Sequence, residues 1–207
     1  MNPRFYHIPM IRRLYSNAIW QMEEEEAVIY LSFDDGPHPE ITPWVLDLLD
    51  EFNQKGTFFC IGKNVAGQAS VIDRIVDEGH ALGNHTFNHE SGFGINTKLY
   101  LQSIRECGRL LESKLFRPPY GRMRFSQYRE IVDQTDMQIV MWSILSLDYL
   151  STLNVASSLK NMKRLTKPGA IVVFHDSQKA EKNLKILLPA YLNYLKSTGY
   201  QSKAIVL

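Results

Sequence analysis

Neither sign of charge dominates this chain, in which 23 Lys and Arg stand against 22 Asp and Glu for a net charge of +1. That balance provides no electrostatic pull toward nucleic acid or another polyanion, so a neutral or weakly charged ligand is expected. Cysteine is scarce. Cys60 and Cys107, the two present, lack the close spacing of zinc or redox motifs and sit in apolar patterns, which reads as two buried thiols. Polar or charged residues interrupt every apolar run before it nears the ~20 residues of a membrane span, which excludes a transmembrane helix. The first twenty positions carry Arg4, Arg12 and Arg13 among aromatic and aliphatic residues, without a continuous apolar stretch or a small-residue cleavage site. They do not read as a secretory signal, which points to the cytoplasm. Attachment to a membrane surface and export by another route stay open. No linker rich in Pro, Gly or Ser divides the chain, and no repeat is evident. Residues 27–207 therefore read as one domain, with residues 1–26 an extension packed on it.

What is present suffices for a sizeable core, since 44% of the 207 residues are hydrophobic and 11% aromatic. After the solvated acidic run Glu23 to Glu26, Ala27 to Phe33 is a compact strand-forming segment. Ile41, Val45, Leu48, Leu49 and Phe52 then recur at helical steps, with Pro43 in the first turn. The alternation continues with strands at 57–61, 81–83, 115–117, 138–142, 170–174 and 202–206, and helices at 69–78, 97–113, 125–134, 154–166 and 184–197. Strand followed by helix about seven times over predicts an α/β fold, a single distorted (β/α) barrel of seven to eight βα units. In such barrels the chemistry gathers where the strands end.

Five segments place reactive side chains there. Ser32-Phe33-Asp34-Asp35-Gly36-Pro37 ends a strand in adjacent carboxylates, whose mutual repulsion a metal would offset. A turn that uses Asp as a cap is the competing reading. His85 and His89 stand four residues apart, the spacing that shares one face of a helical turn. Two imidazoles and one carboxylate make three protein ligands, the number in catalytic zinc sites that keep a position open. The absence of thiolate fits Zn²⁺ best, with Co²⁺, Ni²⁺ or Fe²⁺ as substitutes. Arg117-Pro118-Pro119-Tyr120-Gly121 is a rigid turn whose guanidinium can pair with a carboxylate in bidentate fashion. Its Tyr120 N–H can face a developing oxyanion. Ile171 to Asp176 ends a strand at His175, whose ordinary pKa near 6.5 suits proton donation. Trp142 to Tyr149 offers Asp148 as a histidine partner beside two aromatics. His7, His38 and His80 read as structural, His38 least securely because it follows the Asp-Asp-Gly-Pro turn.

Taken together and in this order, the segments resemble the polysaccharide deacetylases of carbohydrate esterase family 4, the NodB-homology domain, from about Val28 to Leu207. Ser32 to Gly36 is similar to the family's Thr-Phe-Asp-Asp-Gly motif, His85 to His89 to its His-Ser/Thr-x-x-His motif, and Arg117 to Tyr120 to its Arg-x-Pro-Tyr motif. The resemblance implies that Asp35, His85 and His89 bind the metal, that Asp34 is general base and that Arg117 orients it. It further implies that Tyr120 lends its N–H to the oxyanion, that His175 is general acid and that Asp148 steadies His175. Departures are Ser32 for threonine, Val173 for leucine, and Leu145 and Tyr149 for the first aspartate and the tryptophan of an Asp-x-x-Asp-Trp motif. The expected activity is hydrolytic removal of N-acetyl groups from a glycan containing N-acetylglucosamine, peptidoglycan-like or chitin-like, by water activated at a divalent metal. Deacetylation of O-acetyl xylan-like esters, amide hydrolysis on a small acyl compound, and a non-catalytic glycan-binding module are the alternatives.

Overall fold

The computed structural model describes residues 9–207. Eight helices occur among them: α1 Pro9–Leu14, α2 Ile41–Glu51, α3 Gly62–Val65, α4 Ala69–Asp77, α5 Thr97–Leu111, α6 Phe125–Gln134, α7 Val155–Leu165 and α8 Glu181–Thr198. The strands are β1 Val28–Asp34, β2 Gly56–Cys60, β3 Ala81–Asn84, β4 Leu115–Phe116, β5 Gln138–Ile139, β6 Ile144–Leu145, β7 Ile171–His175 and β8 Gln201–Ser202. They form one sheet in the order β5-β4-β3-β2-β1-β7-β6, all pairings parallel, with β8 on the first residues of β1. This curled parallel sheet with its helices is the expected distorted (β/α) barrel.

Local sequence explains the elements. All seven residues of β1 are buried, so it reads as an apolar run with little alternation, as a strand covered on both faces must. Its odd positions Ile29, Leu31 and Phe33 join one core cluster with Val45, Leu46 and Leu49 of α2 and Leu187, Leu188 and Tyr191 of α8. Its even positions Val28 and Tyr30 join a second cluster with Ile171 and Val173 of β7, Phe116 of β4 and Ile139 of β5. Asn96 and Asn154 cap α5 and α7 by accepting the amides of Leu99 and Ser157. Gly199, at φ 77°, closes α8 in the left-handed conformation.

Several expectations need correction. The apolar stretch 138–145, read as one strand over 138–142, is two strands, because β5 pairs with β4 while β6 pairs with β7 at the other end of the sheet. The final strand is only Gln201–Ser202, and it lies beside the start of β1, below β2. The short helix α3 carries no periodic pattern and was not expected. Before β1, Ile19 lies along residues 139–141: its N–H donates to Ile139 O at 2.8 Å, and Met141 N–H donates to Ile19 O at 2.7 Å. No helix among the described residues is long and apolar enough to cross a membrane.

Candidate active site

The period of two along β1 that puts Val28 and Tyr30 in the second cluster carries on to Ser32 and Asp34. Along β7 the same parity links Ile171 and Val173 to His175. Asp34 and His175 are register partners at the carboxyl ends of these neighbouring strands. The loops after β3, after β4 and around Asp148 meet them there.

Asp34 and Asp35 are neighbours in sequence with different surroundings. Asp34 is 4% exposed, and its Oδ1 accepts from Nη1 of Arg117 at 2.7 Å. Arg117 is fully buried, with its guanidinium centre 3.9 Å from the ring centroid of Phe59. The expected bidentate pair is absent: Nη1 also donates to Ser32 Oγ, Nε donates to Val140 O and Nη2 to Met141 O. These carbonyls lie between β5 and β6, where no ladder partner takes them, so the guanidinium divides itself between carboxylate and backbone. Ser32, the departure from threonine, donates its hydroxyl to Val172 O at 3.0 Å and thus ties Arg117 to β7.

Asp35 turns the other way, at φ 81°, toward the imidazoles. Its Oδ1 lies 3.1 Å from Nε2 of His89 and 3.7 Å from Nε2 of His85. One donor atom from each of the three residues falls within 4.8 Å of the others. The His85–His89 segment is no helix. Thr86 at φ 63° and His89 at φ 61° curl the loop so that the rings converge, their centroids 5.1 Å apart. Burial drives the pKa of His85 down to about 4 against the pull of Asp34 and Asp35, so the ring is neutral at physiological pH. Its Nδ1 lies 2.8 Å from Arg117 O, a bond that places the proton on Nδ1 and leaves Nε2 with a lone pair facing Asp35. Burial opposes ionisation of Asp35, but the hydrogen bond from His89 and the nearby His175 and His85 hold its carboxyl well below the ordinary range. Two imidazoles and one carboxylate, with a tautomer set by an outer carbonyl, fit a divalent cation.

On the other side, His175 Nδ1 lies 2.7 Å from Asp148 Oδ1, and His175 N–H donates to Asp148 Oδ2 at 2.8 Å. Burial disfavours the imidazolium, yet the fully buried Asp148 outweighs it and lifts the His175 pKa to about 9. The Tyr149 ring stands edge-on to His175 at 4.9 Å, and the Tyr120 ring lies 4.6 Å from that of His89.

Seven described residues other than glycine have positive φ, and five of them, Asp35, Thr86, His89, Tyr120 and Leu147, belong to these site loops. Such strain is of order 1–3 kcal/mol per residue and persists where the surroundings over-determine it. The anchors are residues to which sequence reasoning gave no role. Ser103 on α5 accepts the Phe87 amide at 2.8 Å and donates to Glu90 at 2.7 Å, and Glu90 in turn accepts from Asn88. Asn64 donates to Asp35 O at 2.8 Å. Asp176 follows His175 and is buried beside Gly36. Its only signal in the sequence was a second acid after an apolar strand.

His38 accepts the Glu40 and Ile41 amides at the start of α2 through Nδ1. It also lines a cavity of about 390 Å³ beside Asp35, with Lys63, Asn64 and Gln178. His80 accepts the Gly56 amide at 3.0 Å in the buried layer under β2. His7 lies outside the described residues.

A curled parallel sheet with two buried charged pairs and a three-donor cluster at its strand ends is the arrangement that comparison with known proteins places among the polysaccharide deacetylases. The family model for polysaccharide deacetylase matches residues 21–140. The chain belongs to this family, the NodB-homology domain of carbohydrate esterase family 4. A peptidoglycan-N-acetylglucosamine deacetylase of Bacillus cereus is 31% identical over 189 residues, covering 88% of each chain. A second from the same organism is 33% identical over 158 residues, which cover 73% of this chain and 57% of that longer relative. A crystal structure of a peptidoglycan N-acetylglucosamine deacetylase superimposes with a TM-score of 0.84 at 28% identity over 91% of both chains.

Proposed function

We propose that this protein is a metal-dependent deacetylase that removes N-acetyl groups from N-acetylglucosamine residues of a glycan, peptidoglycan-like or chitin-like. The observation that carries the reading is the meeting of three separately held groups at one end of the sheet: the donor cluster of Asp35, His85 and His89, the Asp34–Arg117 pair and the His175–Asp148 pair. Asp35, His85 and His89 hold the cation, with Zn²⁺ the best match to this donor set and Co²⁺, Ni²⁺ or Fe²⁺ able to replace it. When bound, such a cation lowers the pKa of water and polarises a carbonyl.

The chain's own residues divide the proton traffic. Asp34 is the general base: Arg117 fixes its carboxylate, which removes a proton from the attacking water. The Tyr120 N–H, in the rigid turn at Pro119–Gly121, donates to the oxygen that gains charge as the carbonyl carbon becomes tetrahedral. His175, held by Asp148 through Nδ1, protonates the departing nitrogen through Nε2, because an amine leaves poorly as an anion. Tyr149, edge-on to His175, and Leu145, the register partner of Val173, take the place of the family's usual residues, so the pocket for the acetyl methyl has its own shape.

The test is acetate release by Zn²⁺-loaded protein from N-acetylglucosamine oligomers and from peptidoglycan, with acetylated xylan in parallel. Release from the first two and little from xylan is expected. Xylan alone as substrate would replace the reading with an O-acetyl esterase, and binding of all three without acetate would replace it with a non-catalytic module. Asp34→Asn should keep its metal while turnover falls roughly 10²-fold or more, the scale of general-base catalysis.

A further inference from the structure

Asp176 is 1% exposed and makes no ion pair among the described residues. A carboxylate so buried is costly unless its oxygens are well served, and an apolar side chain of similar volume would pack at less expense. The reaction proposed above makes no use of it.

Its bonds all converge on one peptide segment. The Asp176 N–H donates to Asp34 O at 3.1 Å, and Oδ1 accepts from the Gly36 N–H at 3.1 Å. One residue therefore grips the backbone immediately before and immediately after Asp35. Oδ2 accepts from Thr42 Oγ1 at 2.5 Å, and Thr42 Oγ1 accepts from the His38 N–H at 2.8 Å, which ties the same carboxylate to the start of α2. Asn64 takes the Asp35 carbonyl, and the Ile61 N–H donates to Gly36 O. The fit is close: a Cβ on Gly36 would stand 2.2 Å from Asp176 Oδ2, so glycine is required there by the carboxylate itself. Asp35, meanwhile, has φ 81°, a conformation that a residue with a side chain holds only under restraint.

We propose that Asp176 is a positioning residue, which holds Asp35 in its left-handed conformation so that the Asp35 carboxylate meets Nε2 of His85 and His89. The inference rests on the reading of Asp35 as a cation ligand. Asp176 touches neither cation nor glycan; it sets the affinity and geometry of the donor cluster through two backbone bonds and one to Thr42.

Metal-free protein titrated with Zn²⁺ in a calorimeter, together with the visible absorption spectrum of its Co²⁺ form, tests this. Asp176→Ala should weaken Zn²⁺ binding about 10- to 100-fold, the range for loss of an outer partner of a ligand, and should alter the Co²⁺ spectrum. Asp176→Asn should bind within a few-fold of wild type, because its amide oxygen accepts from Gly36 and its NH₂ donates to Thr42. Thr42→Val, which leaves the carboxylate in place, should show a smaller loss of affinity in the same direction and serves if Asp176→Ala does not fold. A folded Asp176→Ala or Thr42→Val protein with wild-type Zn²⁺ affinity and Co²⁺ spectrum overturns the proposal. Wild-type protein that takes up neither ion overturns the ligand assignment of Asp35 itself, and the positioning role with it.

Discussion

Two parts of the curled sheet are built differently, a long side of β1, β2 and β7 in its middle and a short side of β4, β5 and β6 toward its two ends. β1, β2 and β7, of seven, five and five residues, pair in continuous parallel ladders, whereas β4, β5 and β6 have two residues each. On the long side main-chain bonds carry the structure, and side chains are left to do chemistry at the strand ends. On the short side a side chain stands in for the ladder, since Arg117 supplies donors to Val140 O and Met141 O and only then reaches Asp34. Ile19, from before the first strand, supplies two further bonds to residues 139 and 141. The same guanidinium thus belongs to the fold and to the site, so the short side should tolerate substitution less well than its small share of sheet suggests.

Arg117→Ala is the most severe way to break this comparison. It leaves Asp34 as a buried charge without its partner, a loss of about 3–5 kcal/mol, and removes the donors to both carbonyls. Urea unfolding should show that decrease together with loss of acetate release. A variant as stable as wild type would show that β4 to β6 do not depend on the guanidinium.

An intermediate effect is expected at His175, on the long side, from Asp148→Asn in the loop after β6. His175 must be protonated to act as an acid, so activity falls as pH rises through its pKa, and Asp148 is what lifts that pKa to about 9 despite burial. Without the charge the alkaline limb of the kcat/KM profile should move to lower pH. The sign for stability agrees: a raised folded pKa contributes fully below the unfolded value near 6.5 and is lost as pH rises through about 9. Asp148→Asn should therefore lose most stability relative to wild type in acid and least above that pH. An unmoved alkaline limb would remove His175 from the role of acid.

The smallest change expected is His80→Ala, also on the long side but far from the chemistry. It orphans the buried Gly56 amide, at a cost of about 1–3 kcal/mol. Burial, helped by Lys55 and Arg74, already holds His80 at a pKa of about 4, so no loss of charge near neutrality is involved. Turnover per folded molecule should match wild type; a fall in turnover would extend the site beneath β2.

Short-range patterns located much of this in advance. The elements 41–51, 69–77 and 125–134 follow from helical spacing, and β1 and β7 from continuous apolar runs that end in titratable residues. The boundary between β5 and β6 was not legible, because residues 139–145 are apolar almost throughout and only their different partners divide them. The convergence of His85 and His89 was anticipated from spacing but is reached by another route, two left-handed residues in a loop instead of a helical face.

By itself the sequence determined which residue types end each strand and, through the alternation of side chains along β1 and β7, that Asp34 and His175 share a face with Tyr30 and Val173. Tertiary structure alone decided that Arg117 bonds an acid 83 residues away and that Asp176 grips Gly36 across 140. Periodicity records only the conformation of a few neighbouring residues, whereas partners so distant meet only once the sheet has curled, and nothing in either segment encodes the bond.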